Sequence, residues 1–137
     1  MGNEKEAIAL MERYEYLANT KAGFKEIEQA VEHYGYPAEH LTGFGSAGTC
    51  TLCKPYYSQN FFSETGCSRC FWYHFEKTTY EPCHKGRALK SYNDITIAET
   101  PSEFRDAFGA RAKYMRKLHK AWKKDNELKK YWSERNA

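Results

Sequence analysis

The cysteines constrain the fold of this chain more than any other feature of its sequence. Two Cys-x-x-Cys pairs, Cys50 with Cys53 and Cys67 with Cys70, lie close together, and Cys83 follows them. The two thiolates of such a pair can converge on one ion, and two pairs complete a tetrahedral site with four thiolate ligands. The spacing therefore predicts a structural zinc ion bound by Cys50, Cys53, Cys67 and Cys70.

Other uses of the cysteines fit the sequence less well. Disulfides are disfavoured because the cysteine count is odd and the charged N-terminus does not resemble a secretory signal. An iron–sulfur cluster also accepts four thiolates and stays open as an alternative. A zinc ion with four cysteine ligands has no open position for water or substrate, which favours a structural role. Cys83 is interpreted either as an alternative zinc ligand or as a buried thiol.

Both ends of the chain carry helical patterns. Apolar residues recur at three- and four-residue spacing within 7–18 and again within 24–34, which predicts a helical hairpin over residues 1–42. Near the other end, Thr100, Pro101 and Glu103 are placed as the N-cap, first residue and capping-box acid of a long helix over 100–137. The apolar face of that helix is predicted to pack in the core through Phe104, Phe108, Ala112, Met115, Leu118 and Trp122.

These segments together predict the fold class and the domain organisation. The range 43–99 is assigned to a central zinc-binding unit, between the helical hairpin of residues 1–42 and the basic amphipathic helix of residues 100–137. The predicted class is mainly α with a small zinc ribbon, which makes it a metal-stabilised α+β protein. A chain of 137 residues has the size of one compact domain.

The charge of the chain is uneven along its length. The net charge is only +3, but the first third is acidic and the last third is basic. A basic helix favours an anionic partner surface, although lysines also simply keep a packed helix solvated. The charged N-terminus and the absence of a long apolar run predict a cytosolic protein with no membrane partner. The residues predicted to bind a partner are Arg116, Lys117, Lys120, Lys123, Lys124, Trp72 and Tyr73.

The run from Cys50 to about Trp122 resembles a group of small, uncharacterised proteins encoded by bacteriophages and prophages. The resemblance rests on the segment 50–57, the second cysteine pair, Cys83, and a following helix rich in aromatic and basic residues. It covers roughly half of the chain. The resemblance implies a phage-type accessory protein with a zinc site, present in the cytosol of the host cell, and it supplies no activity.

Three classes of function fit these observations. The first is a non-enzymatic, zinc-stabilised accessory protein that binds a host or phage macromolecular complex, for example as an inhibitor of a host enzyme or defence system. The alternative is a nucleic-acid-binding zinc module, supported by the basic helix and the rings of the central segment. A metal-dependent nuclease is weaker, because His74, Glu76 and His84 beside Cys83 are its only hints. No catalytic residue is predicted, and a protein complex is preferred to free nucleic acid as the partner.

Metal content tests the ligand assignment. The purified protein should hold about one zinc ion per chain, and Cys53→Ser or Cys70→Ser should lose it, because structural zinc contributes roughly 10–16 kcal/mol to folding. Cys83→Ala is the matched comparison, and it should keep zinc if Cys83 is a buried thiol. Elemental analysis after gel filtration measures the content. Full zinc retention in both serine variants would rule out this assignment, and zinc loss from Cys83→Ala would make Cys83 a ligand.

Overall fold

The computed structural model describes residues 4–43 and 86–135, with side chains described for 5–43 and 90–127. Within these ranges, none of the helices has the length and apolar composition needed to cross a bilayer. The longest, which has 35 residues, extends over about 50 Å. The helices are α1 (Glu4–Asn19), α2 (Lys21–His33), α3 (Pro37–Thr42), α4 (Gly86–Thr96) and α5 (Pro101–Arg135).

The predicted fold class is wrong for the part of the chain that the structure describes. All regular structure there is helical, without a strand, and no three His, Cys, Asp or Glu side chains of this part could hold a metal ion together. Helix α4 lies inside the range 43–99 that was assigned to the zinc unit. Among its described side chains, Ile95 is buried in the core and Tyr92 is half-buried against it. Two such residues are too few to predict a helix from the sequence. The five cysteines, Trp72 and Tyr73 lie outside the described residues.

The core is organised by α1 and α5, which run antiparallel. Ala18 near the end of α1 lies against Gly109, whereas Glu15, one turn earlier, binds Arg116, further along α5. Helix α5 also packs on α2 and α4. The two helices bury apolar residues that recur at three- and four-residue intervals, as core-facing helices require. From α1 these are Ala7, Leu10, Met11, Tyr14 and Leu17, and from α5 they are Phe104, Ala107, Phe108, Ala112 and Met115.

The helices predicted at both ends of the chain are confirmed. The amide of Glu103 donates to Thr100 Oγ1 over 3.2 Å, which is the N-cap half of the predicted capping box, and the Thr100 hydroxyl donates to the Glu103 carboxylate over 3.0 Å. Helix α5 then continues without a break to Arg135. Within the predicted hairpin range, Pro37 begins the separate short helix α3, because proline is well suited to the first position of a helix.

Helix α2 crosses the end of α1 at very short distance, and Gly23 permits that approach. The amide of Gly23 donates to the N-cap hydroxyl of Thr20 over 2.9 Å. A Cβ atom on Gly23 would lie 2.1 Å from the carbonyl oxygen of Tyr16 and 2.7 Å from Leu17 Cα. Both contacts are with the backbone of α1, which cannot move aside as a flexible side chain could.

Gly23→Ala tests this crossing, and Gly109→Ala is its control. Alanine favours a helix interior over glycine by about 1 kcal/mol, which Gly109→Ala gains in the interior of α5 and Gly23→Ala, in the first turn of α2, gains at most in part. At Gly109 the new Cβ would meet only Ala18 Cβ at 3.4 Å, whereas at Gly23 it overlaps with backbone. We expect thermal unfolding to show Gly109→Ala unchanged or stabilised and Gly23→Ala destabilised by about 1–3 kcal/mol. Equal stability of the two variants would contradict the close crossing.

Candidate functional site

Arg116, one of the predicted partner-binding residues, already has a partner within the fold. Its Nε and Nη2 atoms donate to the two carboxylate oxygens of Glu15 on α1, over 3.1 and 2.7 Å. Hydrogen bonding to Arg116 is the main cause that lowers the pKa of the Glu15 carboxyl, and burial acts in the opposite direction. A bidentate arginine pair fixes geometry as well as charge, so Arg116 holds α1 against α5.

The other two arginines of α5 with described side chains also contact neighbouring helices. Arg111 is buried in the core and donates to Ser91 Oγ of α4 over 2.6 Å. Arg105 lies over the ring of Phe24 on α2, with its guanidinium carbon 5.2 Å from the ring centre. These arginines, with Arg116, tie α5 to α4, α2 and α1 respectively. The sequence analysis did not separate Arg116 from the lysines of the predicted partner-binding set.

The lysines of α5 are placed differently. Lys113, Lys117, Lys120 and Lys124 are all exposed and follow one another at four-, three- and four-residue intervals. With 3.6 residues per turn, this spacing puts them in one straight row along the helix, which we call the lysine row. The buried residues of α5 occupy the opposite side. Within the described part of the chain, no lysine of the row forms an ion pair.

Acidic residues mark the two ends of the lysine row and are missing from its middle. Asp106 lies two turns before Lys113 on the same side of α5, and Glu127 lies one turn after Lys124. Between Lys113 and Lys124 the row extends about 16 Å along the helix axis. The row is therefore a dense and continuous line of positive charge on one side of α5.

The predicted partner-binding set is partly brought together by the structure. Lys117, Lys120 and Lys124 belong to the lysine row, and Lys123 is exposed beside it. Lys113 was left out of the prediction, although its four-residue spacing from Lys117 could have identified it. Trp72, Tyr73 and the cysteine ligands predicted for zinc fall outside the residues that the structure describes.

A second feature of the surface is a cleft of about 290 Å³ between the start of α3 and the helices α4 and α5. Tyr36, which is 81% exposed, stands at this cleft, and Ile95 and Phe104 contribute to its apolar wall. The carboxylate in its lining is that of Glu39. A single carboxylate on an apolar wall offers no pair of groups for acid–base chemistry.

Comparisons with protein-family models, curated proteins and solved structures find no match for this chain. The similarity to phage-encoded proteins therefore stays a prediction from the cysteine pattern and the basic helix. The geometry of α5 is the observation from which a function can be argued.

The contrast between Arg116 and the lysine row can be tested through stability. Arg116→Gln breaks the bidentate pair with Glu15 and should destabilise the fold by about 0.5–1 kcal/mol, near the upper end for an exposed pair. Lys120→Gln removes the same charge from the same helix without breaking a described contact, so its stability should stay within about 0.5 kcal/mol. Urea denaturation measures both. A similar loss in the two variants would contradict the structural role of Arg116.

The same pair predicts a dependence on pH. Because the folded state lowers the pKa of Glu15, the pair stabilises the fold above the ordinary glutamate pKa of 4.5, and this contribution is lost as the pH falls through the lowered value. The stability difference between the wild type and Glu15→Gln should therefore shrink in acid. A difference that stays constant from neutral pH to pH 3 would show that the carboxylate charge is not responsible.

Proposed function

We propose that this protein is a non-enzymatic binding protein that docks on an anionic surface of a macromolecular complex through the lysine row of α5. The proposal rests on the different placement of the arginines and the lysines of this helix. The arginines with described side chains contact neighbouring helices, whereas Lys113, Lys117, Lys120 and Lys124 face outwards. A positive row on a helix already held by its other face can bind without unfolding any core contact.

The lysine row destabilises the helix that carries it, which favours a binding role over a role in solubility alone. Lys113 and Lys117, like Lys120 and Lys124, are like charges four residues apart, and each such pair destabilises a helix by about 0.2–0.5 kcal/mol. A face needed only for solubility can alternate lysine with glutamate and gain a similar amount instead. The charged residues on this side of α5 between Asp106 and Glu127 are all lysines. An anionic partner offsets the repulsion that the row creates.

Other parts of the sequence-based hypothesis extend this proposal. Two further points stay predictions from the resemblance: that the complex belongs to a host or a phage, and that binding inhibits a host enzyme or defence system. The predicted zinc site concerns residues outside those on which the proposal rests. The proposal itself depends on the packing of α1 against α5 and on the exposed lysines of α5.

The test compares two variants that lose the same charge from different surfaces. The row variant replaces Lys113, Lys117, Lys120 and Lys124 with glutamine. The control variant replaces four exposed lysines of α1, α2 and α4 with glutamine, namely Lys5, Lys21, Lys25 and Lys90. Glutamine and lysine have similar helix propensities, so both variants should fold, which circular dichroism verifies.

Each protein is immobilised and exposed at physiological salt to a lysate of the cells that produce it, with and without nuclease. We expect the macromolecules retained by the wild type to be retained by the control variant and lost from the row variant, because charges farther than a Debye length of about 8 Å from the bound anion are then largely screened. Retention of the same macromolecules by a folded row variant would remove the lysine row from the function. Equal loss from both variants would assign retention to net charge.

A further inference from the structure

We infer that the anionic surface recognised by the lysine row is the phosphate backbone of double-stranded DNA, bound without regard to base sequence. This inference rests on the proposed function and names its partner. It follows from three properties of the row: its length, the type of cation it contains, and the lack of unpaired arginine, unpaired amide or exposed aromatic side chains beside it in the described part of α5.

The length of the row matches the dimensions of a duplex. Lys113 and Lys124 are separated by about 16 Å along the axis of α5. The major groove of B-form DNA is about 12 Å wide, so lysines at the two ends of the row can reach phosphates on opposite strands. Lys117 and Lys120, which are exposed between them, lie within reach of the same groove edges. A straight helix can therefore neutralise phosphates of both strands at once.

The type of cation favours a nucleic-acid partner over a protein partner. Lysine is a compact, flexible point charge that binds phosphate without fixed geometry, while arginine has a planar fork that pairs bidentately with carboxylates and phosphates alike. This chain uses that fork for its own carboxylate contact, between Arg116 and Glu15. The row contains lysine only, and lysine is depleted from protein–protein interfaces, where arginine and aromatic residues are enriched. Phosphate neutralisation by lysines gains affinity from the release of condensed counterions.

The surroundings of the row offer few other means of reading bases. Besides lysine, base recognition commonly uses arginine, asparagine or glutamine, and single-strand binding uses exposed aromatic rings. Arg116, the arginine beside the row, is already paired with Glu15. Between Lys113 and Glu127, the amide side chain is that of Asn126, which donates to the Trp122 carbonyl over 3.0 Å. Trp122 itself is half-buried and stacks on His119, on the side of α5 away from the row. Such a row is therefore suited to contact the phosphates of a duplex.

Fluorescence anisotropy of labelled duplexes tests the inference with the purified full chain. Two duplexes of about 20 base pairs and unrelated sequence should bind equally, with micromolar dissociation constants that are typical of non-specific contacts. A plot of the logarithm of the association constant against the logarithm of the salt concentration has a slope of about −0.9 per neutralised phosphate. Four lysines therefore predict a slope as steep as about −3.6. The row variant should bind at least roughly tenfold more weakly with a correspondingly smaller slope, and the control variant should stay within about twofold of the wild type.

Further arms of the titration separate this partner from others. A single strand of the same length, poly-glutamate and vesicles with anionic lipid are titrated under identical conditions. The inference is overturned if the duplexes do not bind at low salt, if the row and control variants weaken equally, or if any of the three other polyanions binds as tightly as the duplexes. Row-dependent retention of a nuclease-resistant partner from lysate, without duplex binding, would leave the proposed function standing and reject DNA as its partner.

Discussion

The antiparallel contact between α1 and α5 is the interaction on which the described structure depends. Tyr14 stacks on Phe108 with ring centres 5.5 Å apart, and the next residue of α1, Glu15, pairs with Arg116, about two turns beyond Phe108 on α5. Burial of this seam determines the rotation of α5 about its own axis. Once Phe108 and Met115 face α1, residues half a turn away must face solvent, and those residues are lysines.

The two kinds of cation on α5 are separated because their chemistry differs. Guanidinium groups are weakly hydrated and form planar contacts, so they are suited to the crowded junctions with α1, α2 and α4. Ammonium groups are strongly hydrated and are better left at the surface, where only an anionic partner need displace water. Arg111 is the extreme case, since it is 1% exposed and bonded to Ser91. Charge counts alone would treat Arg111 and Lys113 as equivalent, although one builds the fold and the other faces solvent.

Local signals were sufficient to predict the ends of the chain. The capping signal at Thr100 and the apolar periodicity from Phe104 onwards lie within short stretches of sequence, and the structure has the helix that they predict. The pairing of Arg116 with Glu15 joins residues far apart in sequence, so no local pattern could separate this arginine from the lysines beside it. Helix α4 was missed because the whole range 43–99 was assigned from its cysteines, whose zinc ribbon is not found in the described residues. The role of Gly23 could not be predicted from the sequence either, because it depends on the nearby backbone of Tyr16.

Lysine footprinting tests the central claim most directly, because it reports on each surface separately. The folded protein is acetylated briefly, alone and with a duplex at low salt, and modification is quantified at each lysine by mass spectrometry. The account predicts that Lys113, Lys117, Lys120 and Lys124 become protected by the duplex and recover at high salt, when screening shortens the reach of charge. Lys21 and Lys25 on α2, also exposed, should react equally in all samples. Uniform protection of all lysines, or protection confined to α2, would contradict the account.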